Sequence, residues 1–125
     1  MTIRVLLVDD QAENRLLLRR VLEAEGIAVV GEGGHGEAAM RLAIELKPDV
    51  VLMDLWMPGI GGIEATRLIT SAEPRIHVVM LTDYDSVTAE RSSIEAGACA
   101  YLVKGGSVEL MIDVIRLAAQ HELGP

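Results

Sequence analysis

Five side chains able to do chemistry stand where an apolar run gives way to a loop. Asp9 and Asp10 follow Ile3 to Val8, Asp54 follows Val50 to Met53, Thr82 follows Ile76 to Leu81, and Lys104 follows Ala98 to Val103. Three carboxylates brought close together repel one another, and a divalent cation among them is the economical answer. Carboxylate oxygens are hard ligands, and Mg²⁺ commonly takes one or two of them together with phosphate oxygens. Lys104 offers a second positive contact. With the charge so balanced, Asp54 can attack phosphorus, since an aspartyl phosphate is a known covalent intermediate. Each residue alone has a plainer use: the acidic pair as a helix opener, Thr82 as a strand-end hydroxyl satisfying backbone, Lys104 as a solvated cation. Asp83 and Asp85 read as turn and helix-opening residues. What carries the reading is the combination, in this order at these run ends.

For these side chains to meet, the runs must be strands of one parallel sheet. Val50 to Met53 holds four apolar residues, two of them β-branched, and reads as a strand buried on both faces, ended by Pro58, Gly59, Gly61 and Gly62. Segments of helical spacing separate the runs. Leu17, Leu18, Val21 and Leu22 form a stripe closed by Gly26, and Ala39, Leu42, Ala43 and Leu46 another stopped at Pro48. A third helix, from about Gly62 to Ala72, should bury Ile63, Leu68 and Ile69. The fourth, opened by Asp85 or Ser86 and closed by Gly97, has little but Val87, Ala89 and Ile94 on its apolar side, and is the most weakly anchored. The last begins at Ser107, a plausible N-cap, and carries Leu110, Met111, Val114, Ile115 and Ala118, with Ile112, Leu117 and Ala119 beyond that stripe. This alternation predicts an α/β fold: a (βα)5 doubly wound parallel five-stranded sheet, order 2-1-3-4-5, flavodoxin-like. The run from Ile27 to Val30 becomes an edge strand, ending in Gly31-Glu32-Gly33-Gly34 and supplying nothing to the site.

The remaining properties narrow the function class. A chain of 125 residues is one domain by length. The formal net charge of -8 argues against this domain gripping a nucleic-acid backbone by itself. No apolar run approaches the ~20 residues of a membrane span, and no signal peptide is recognisable, so a cytoplasmic location is expected. The single cysteine, Cys99, reads as core filling, and histidines at 35, 77 and 121 lack metal-site spacing.

The pieces Val8-Asp9-Asp10-Gln11, Met53-Asp54-Leu55-Trp56-Met57-Pro58-Gly59, Leu81-Thr82, Gly97-Ala98 and Tyr101-Leu102-Val103-Lys104 together resemble the response-regulator receiver domain of two-component signalling, over essentially the whole chain. The likeness extends to the subfamily with a C-terminal helix-turn-helix (LuxR-type) output domain. The resemblance implies a receiver domain over residues 1–121, with 122–125 beginning a linker or chain end. It implies that Asp54 accepts phosphoryl from a phosphohistidine on a sensor histidine kinase or phosphotransfer protein. Asp10, Asp54 and the main-chain carbonyl of Trp56 would hold Mg²⁺, with Asp9 acting directly or through water; Thr82 and Lys104 would bind phosphoryl oxygens, and Thr82 with Tyr101 would form the switch. Such a domain is a phosphoacceptor and not an enzyme acting on a separate substrate, although it promotes its own phosphorylation and dephosphorylation.

Three features depart from the family pattern. Asp83 follows Thr82 where a small residue is usual. Gly105-Gly106 follow Lys104 where proline is typical, and a cis bond before a non-proline costs ~2.5 to 4 kcal/mol, so none is assumed. Trp56 and Tyr84 flank the site where smaller or polar residues are frequent, and they should slow water attack and lengthen the life of a phosphorylated form.

Other readings fit less well. A Mg²⁺-dependent phosphatase with an aspartate nucleophile typically wants a second acid two residues on, where Trp56 stands. A flavin binder of this fold needs a hydroxyl- and glycine-rich phosphate loop after the first strand, and Asp9-Asp10 would repel phosphate. A degenerate receiver that only binds partners is the strongest rival, motivated by Asp83. The output is expected to be transcription through a DNA-binding domain not in this chain; a stand-alone regulator of a protein target would look the same. The surplus apolar surface of the last helix predicts a homodimer through the fourth and fifth helices and the fifth strand.

Overall fold

Side chains alternate across a strand, so an unbroken apolar run feeds two cores at once. Val5, Leu7, Val50, Leu52, Val79 and Leu81 face one cluster, and Leu6, Val8, Val51, Met53, Val78 and Met80 the other. The computed structural model describes residues 2–120; His121 and residues 122–125, where the expected domain end and linker fall, lie outside the described residues.

The strands are β1 (Arg4–Val8), β2 (Ala28–Gly33), β3 (Val50–Met53), β4 (His77–Thr82) and β5 (Ala100–Val103). The helices between and after them are α1 (Ala12–Ala24), α2 (Gly36–Leu46), α3 (Gly62–Ala72), α4 (Val87–Ala96) and α5 (Val108–Ala119). All strand pairs are parallel, in the expected order β2-β1-β3-β4-β5. Leu22 of α1 with Met111, Ile112 and Ile115 of α5 covers one face; Ala39 and Ala43 of α2 with Ala65 and Ile69 of α3 covers the other.

Side chains cap the starts of α2, α4 and α5. His35 Nδ1 accepts from the Ala38 N–H at 3.2 Å, Ser86 Oγ from Ala89 at 3.1 Å, and Ser107 Oγ from Leu110 at 3.1 Å. At its other end α4 stops on Gly97 at φ 116°, a conformation that glycine enters without a Cβ penalty.

Several expectations need correction. β2 continues through Gly31, Glu32 and Gly33, because backbone pairing to Leu6, Leu7 and Val8 outweighs glycine's reluctance to extend; the register skips Val30 as a bulge. Leu17 is 60% exposed, and α1 packs through Leu22 with Leu18 and Val21 alongside. Val87 and Ile94 also point outward, so α4 buries Ser93 and Ala96 instead, with Ala89 against the core. Ser93 tolerates burial because its hydroxyl donates to the Ala89 carbonyl at 2.7 Å. Among its helical neighbours α4 is thus the one with the least apolar anchorage.

The edge strand is also less inert than expected. Glu32 accepts from Arg15 Nε at 3.0 Å and from Arg19 Nε at 2.8 Å, tying β2 to α1. Burial alone would raise its pKa, but the hydrogen bonds and charges of Arg19 and Arg15 outweigh that and lower it.

The loop after β3 reaches the start of α2 at closest range. A Cβ placed on Gly36 would lie 2.2 Å from the Ile60 carbonyl oxygen and 2.3 Å from its Cγ1. Gly36→Ala should therefore destabilise the domain by about 1 to 3 kcal/mol despite alanine's better helix propensity. Urea unfolding checks this, and a midpoint equal to or above wild type would show that the loop yields freely.

Candidate functional site

The rim of the sheet forms because main-chain pairing continues one residue beyond the strands. The Asp9 N–H donates to the Gly33 carbonyl at 3.0 Å, the Asp54 N–H to Val8 at 2.9 Å, and the Lys104 N–H to Thr82 at 2.7 Å. The ladder thus carries three run-end residues to one edge, in line with the rule that ligands meet the carboxyl ends of parallel strands.

Asp9, Asp10, Asp54 and Lys104 come together there. One carboxylate oxygen from each aspartate lies within 4.8 Å of the others. Asp9 and Asp54 are buried and Asp10 is exposed. Lys104 Nζ donates to Asp9 Oδ2 at 2.7 Å and stands 3.5 Å from Asp54 Oδ2. Asp9 Oδ1 accepts from the Gln11 N–H at 2.9 Å, and Asp54 Oδ1 from the Leu55 N–H at 2.8 Å. Behind Asp54, Gly62 permits the turn, since a Cβ there would lie 2.0 Å from the Asp54 carbonyl oxygen.

The charges are only partly balanced. Burial pushes the Asp54 carboxyl above the usual range; Asp9 adds to this, while Lys104 and the Leu55 N–H pull the other way. Burial would lower the Lys104 ammonium, but the hydrogen bond to Asp9 and the charges of Asp54, Asp9 and Asp83 outweigh it and raise its pKa. Asp83 is exposed beside the pocket, with its charge felt at Lys104. A hard divalent cation suits this site: the donors are carboxylate oxygens in mutual reach, and the buried Asp54 is under-compensated.

Thr82 and Tyr101 connect to each other through a residue with no assigned part in the expected switch. The buried Thr82 hydroxyl accepts from the Tyr84 N–H at 3.3 Å, and the Tyr101 hydroxyl donates to the Tyr84 carbonyl. Burial, with Glu90 and Asp85 nearby, raises the Tyr101 phenol. The rings of Tyr84 and Trp56 meet edge to face with centroids 5.6 Å apart, and Trp56 is 63% exposed. No cis peptide bond occurs among the described residues.

Sequence reasoning passed over Arg15, which donates from its Nη1 to the Asp9 carbonyl while paired with Glu32. The available signal was weak: a charged residue in the first turns of α1 and one isolated acid among glycines.

Comparison with known proteins agrees with this geometry. The response regulator receiver domain model matches residues 5–116. The chain is 44% identical over 126 residues to the response regulator GacA of Pseudomonas aeruginosa, covering 98% of this chain and 59% of GacA. It is 43% identical over 121 residues to the transcriptional regulatory protein LiaR of Bacillus subtilis, covering 96% of this chain and 57% of LiaR. The chain thus spans a little over half the length of these curated relatives. Among solved structures, a LuxR-family two-component response regulator from Aurantimonas sp. SI85-9A1 superposes with a TM-score of 0.93 at 35% identity, covering 98% of this chain and 89% of that one. With the family model spanning most of its length and the acidic rim in place, the chain belongs to the response regulator receiver domain family of two-component systems.

Proposed function

We propose that Asp54 is the phosphoacceptor, taking a phosphoryl group from a phosphohistidine on a sensor histidine kinase or phosphotransfer protein. The observation behind this is the buried Asp54 carboxylate, 3.5 Å from Lys104 Nζ and within 4.8 Å of both Asp9 and Asp10. In the step, a carboxylate oxygen forms a bond to phosphorus. The bond from phosphorus to imidazole nitrogen breaks, its electron pair stays on that nitrogen, and a proton from solvent completes the neutral ring. The products are an acyl phosphate and histidine.

Receiver domains use Mg²⁺ in general, and here Asp9, Asp10, Asp54 and the Trp56 main-chain carbonyl would hold it; when bound it neutralises charge and orients the phosphoryl oxygens. Lys104 contributes an ammonium already beside Asp54, and Thr82 a hydroxyl that can donate to a phosphoryl oxygen. Burial excludes bulk water from the acceptor. Rearrangement of Thr82 and Tyr101 then reports the modified state. The proposed domain spans residues 1–121, with 122–125 a linker or chain end. The expected cytoplasmic location and transcriptional output belong to the same proposal; among the described residues, no helix is long and apolar enough to cross a membrane.

Incubation with acetyl phosphate and Mg²⁺, followed by intact mass, should add one phosphoryl group to wild type. Asp54→Asn or prior chelation should abolish the addition. A wild type that takes up no phosphoryl group and no beryllofluoride in Mg²⁺ would favour the rival reading, a degenerate receiver acting only through protein contacts.

Trp56 lies two residues after Asp54 and Tyr84 two after Thr82, and their rings meet edge to face; the proposal gives this pair the part of restricting an attacking water. The phosphorylated form should persist for minutes or longer in Mg²⁺, and Trp56→Asn with Tyr84→Ala should shorten its life. Loss of the wild-type phosphoform within seconds would end that part of the proposal.

The proposed homodimer uses α4, β5 and α5, whose Val87, Ile94, Val103, Leu110 and Leu117 are exposed. Sedimentation should show mass doubling with beryllofluoride and Mg²⁺. A monomer under both conditions, at concentrations well above those in a cell, argues against it.

A further inference from the structure

We propose that Arg15 is a positioning residue that aims the Asp9-Asp10 carboxylate pair, and that Glu32 on the edge strand braces it. This rests on reading the acidic rim as a cation and phosphoryl site, and adds to it a control on cation affinity from outside the ligand set.

The geometry starts from the sheet. Beyond the Asp9 N–H the chain leaves the ladder, and the peptide joining Asp9 to Asp10 must still hold one orientation if both carboxylates are to converge. Its approach is fixed by the Asp9 N–H, which donates to the Gly33 carbonyl at 3.0 Å. Its carbonyl oxygen, at the other end of Asp9, accepts from Arg15 Nη1. The same guanidinium is pinned from behind, because Arg15 Nε donates to Glu32 Oε1 at 3.0 Å. Glu32 is held in turn: its second oxygen accepts from Arg19 Nε at 2.8 Å, and its backbone pairs with Leu7 of β1. One rigid fork therefore links the edge strand, the first helix and the acidic loop. Lysine could not reproduce it, since an ammonium lacks the planar fork that serves two acceptors in fixed directions.

The Asp9 side chain has other supports, namely Gln11, Asn14 and Lys104. Asp10 is exposed, and the direction of its carboxylate is governed by the peptide that Arg15 grips. Partners that orient metal ligands from outside typically account for 10- to 100-fold in affinity. Electrostatics alone predicts the reverse sign here. Arg15 is a fixed positive charge beside a cation site, and removing it lessens repulsion toward Mg²⁺. The direction of the change thus separates positioning from charge.

The experiment is a Mg²⁺ titration of the full chain read by the fluorescence of Trp56, its only tryptophan, with calorimetry as a second measure. Arg15→Ala, Arg15→Lys and Arg19→Ala are compared, with circular dichroism showing each folded. Arg15→Ala and Arg15→Lys should both weaken Mg²⁺ binding by about tenfold, while Arg19→Ala, which loses an ion pair to the same glutamate but not the Asp9 contact, should stay within about twofold. At saturating Mg²⁺ the acetyl phosphate reaction of the Arg15 variants should return close to the wild-type rate, placing the defect in cation affinity. Binding by Arg15→Ala as tight as wild type or tighter overturns the positioning role, as does an equal loss in Arg19→Ala. A wild type without any Mg²⁺ response overturns the site reading as well.

Discussion

The rim depends on one ion pair. Lys104 Nζ lies 2.7 Å from Asp9 Oδ2, joining the end of β5 to the end of β1 in surroundings largely closed to water. Buried pairs persist only when their remaining hydrogen-bonding capacity is met, because desolvation opposes the attraction. Here the second Asp9 oxygen is met by the Gln11 N–H. With Lys104 committed to Asp9, its reach to Asp54 is longer, at 3.5 Å. Asp54 is consequently the buried carboxylate with the weaker compensation, and burial keeps its proton affinity high. A carboxylate held in that condition gains most when further positive charge arrives.

Such a concentration of like charge is tolerable because it is built on a scaffold with very little freedom. β3 is buried along its whole length, and its neighbours contribute alternate residues to two separate cores. A one-residue slip of β3 against β1 would exchange the two apolar sets and move Asp54 off the rim. Core packing and site assembly are therefore enforced by the same register. The glycines that follow serve closeness of approach: Gly36 admits the Ile60 carbonyl and Gly62 the Asp54 carbonyl at distances no side chain permits.

That coupling explains what could be read from the sequence. Unbroken runs such as Val50 to Met53 have one stable use, so strand number and the acidic rim followed from the runs and the residue types at their ends, while the order followed from the common doubly wound arrangement of five strands. Where the chain departs from the simple pattern, a local rule lost to tertiary pairing. Gly31 and Gly33 look like loop residues, yet β1 holds them as strand. Ser93 looks like surface, yet its hydroxyl is satisfied within its own helix, so it can be buried while Ile94 turns outward. Arg15 and Glu32 were illegible for a different reason. Their meaning lies in a contact between α1 and an edge strand reaching a main-chain oxygen, and no side-chain motif encodes a carbonyl.

Thr82 and Tyr101, the pair proposed as a switch, are joined through Tyr84. One peptide segment gives its N–H to Thr82 and its carbonyl to Tyr101, so the two side chains are coupled through backbone. The bond from the Tyr84 N–H to Thr82 is long, at 3.3 Å, and therefore weak. On the proposed chemistry, a phosphoryl group on Asp54 adds about -1.5 to -2 charges and three acceptor oxygens. A charge-assisted bond from Thr82 to one of them is roughly twice as strong as a neutral one. Full conversion between states, from 1:99 to 99:1, needs ~5.5 kcal/mol of preference. One new bond falls short of that, so neighbouring elements must be inexpensive to move. α4 meets the requirement: it follows Tyr84 directly, and its only buried side chains are the small ones of Ser93 and Ala96. On the proposed switch, the weakness of that helix is what would let a change of a few hydrogen bonds at the rim alter the outer surface.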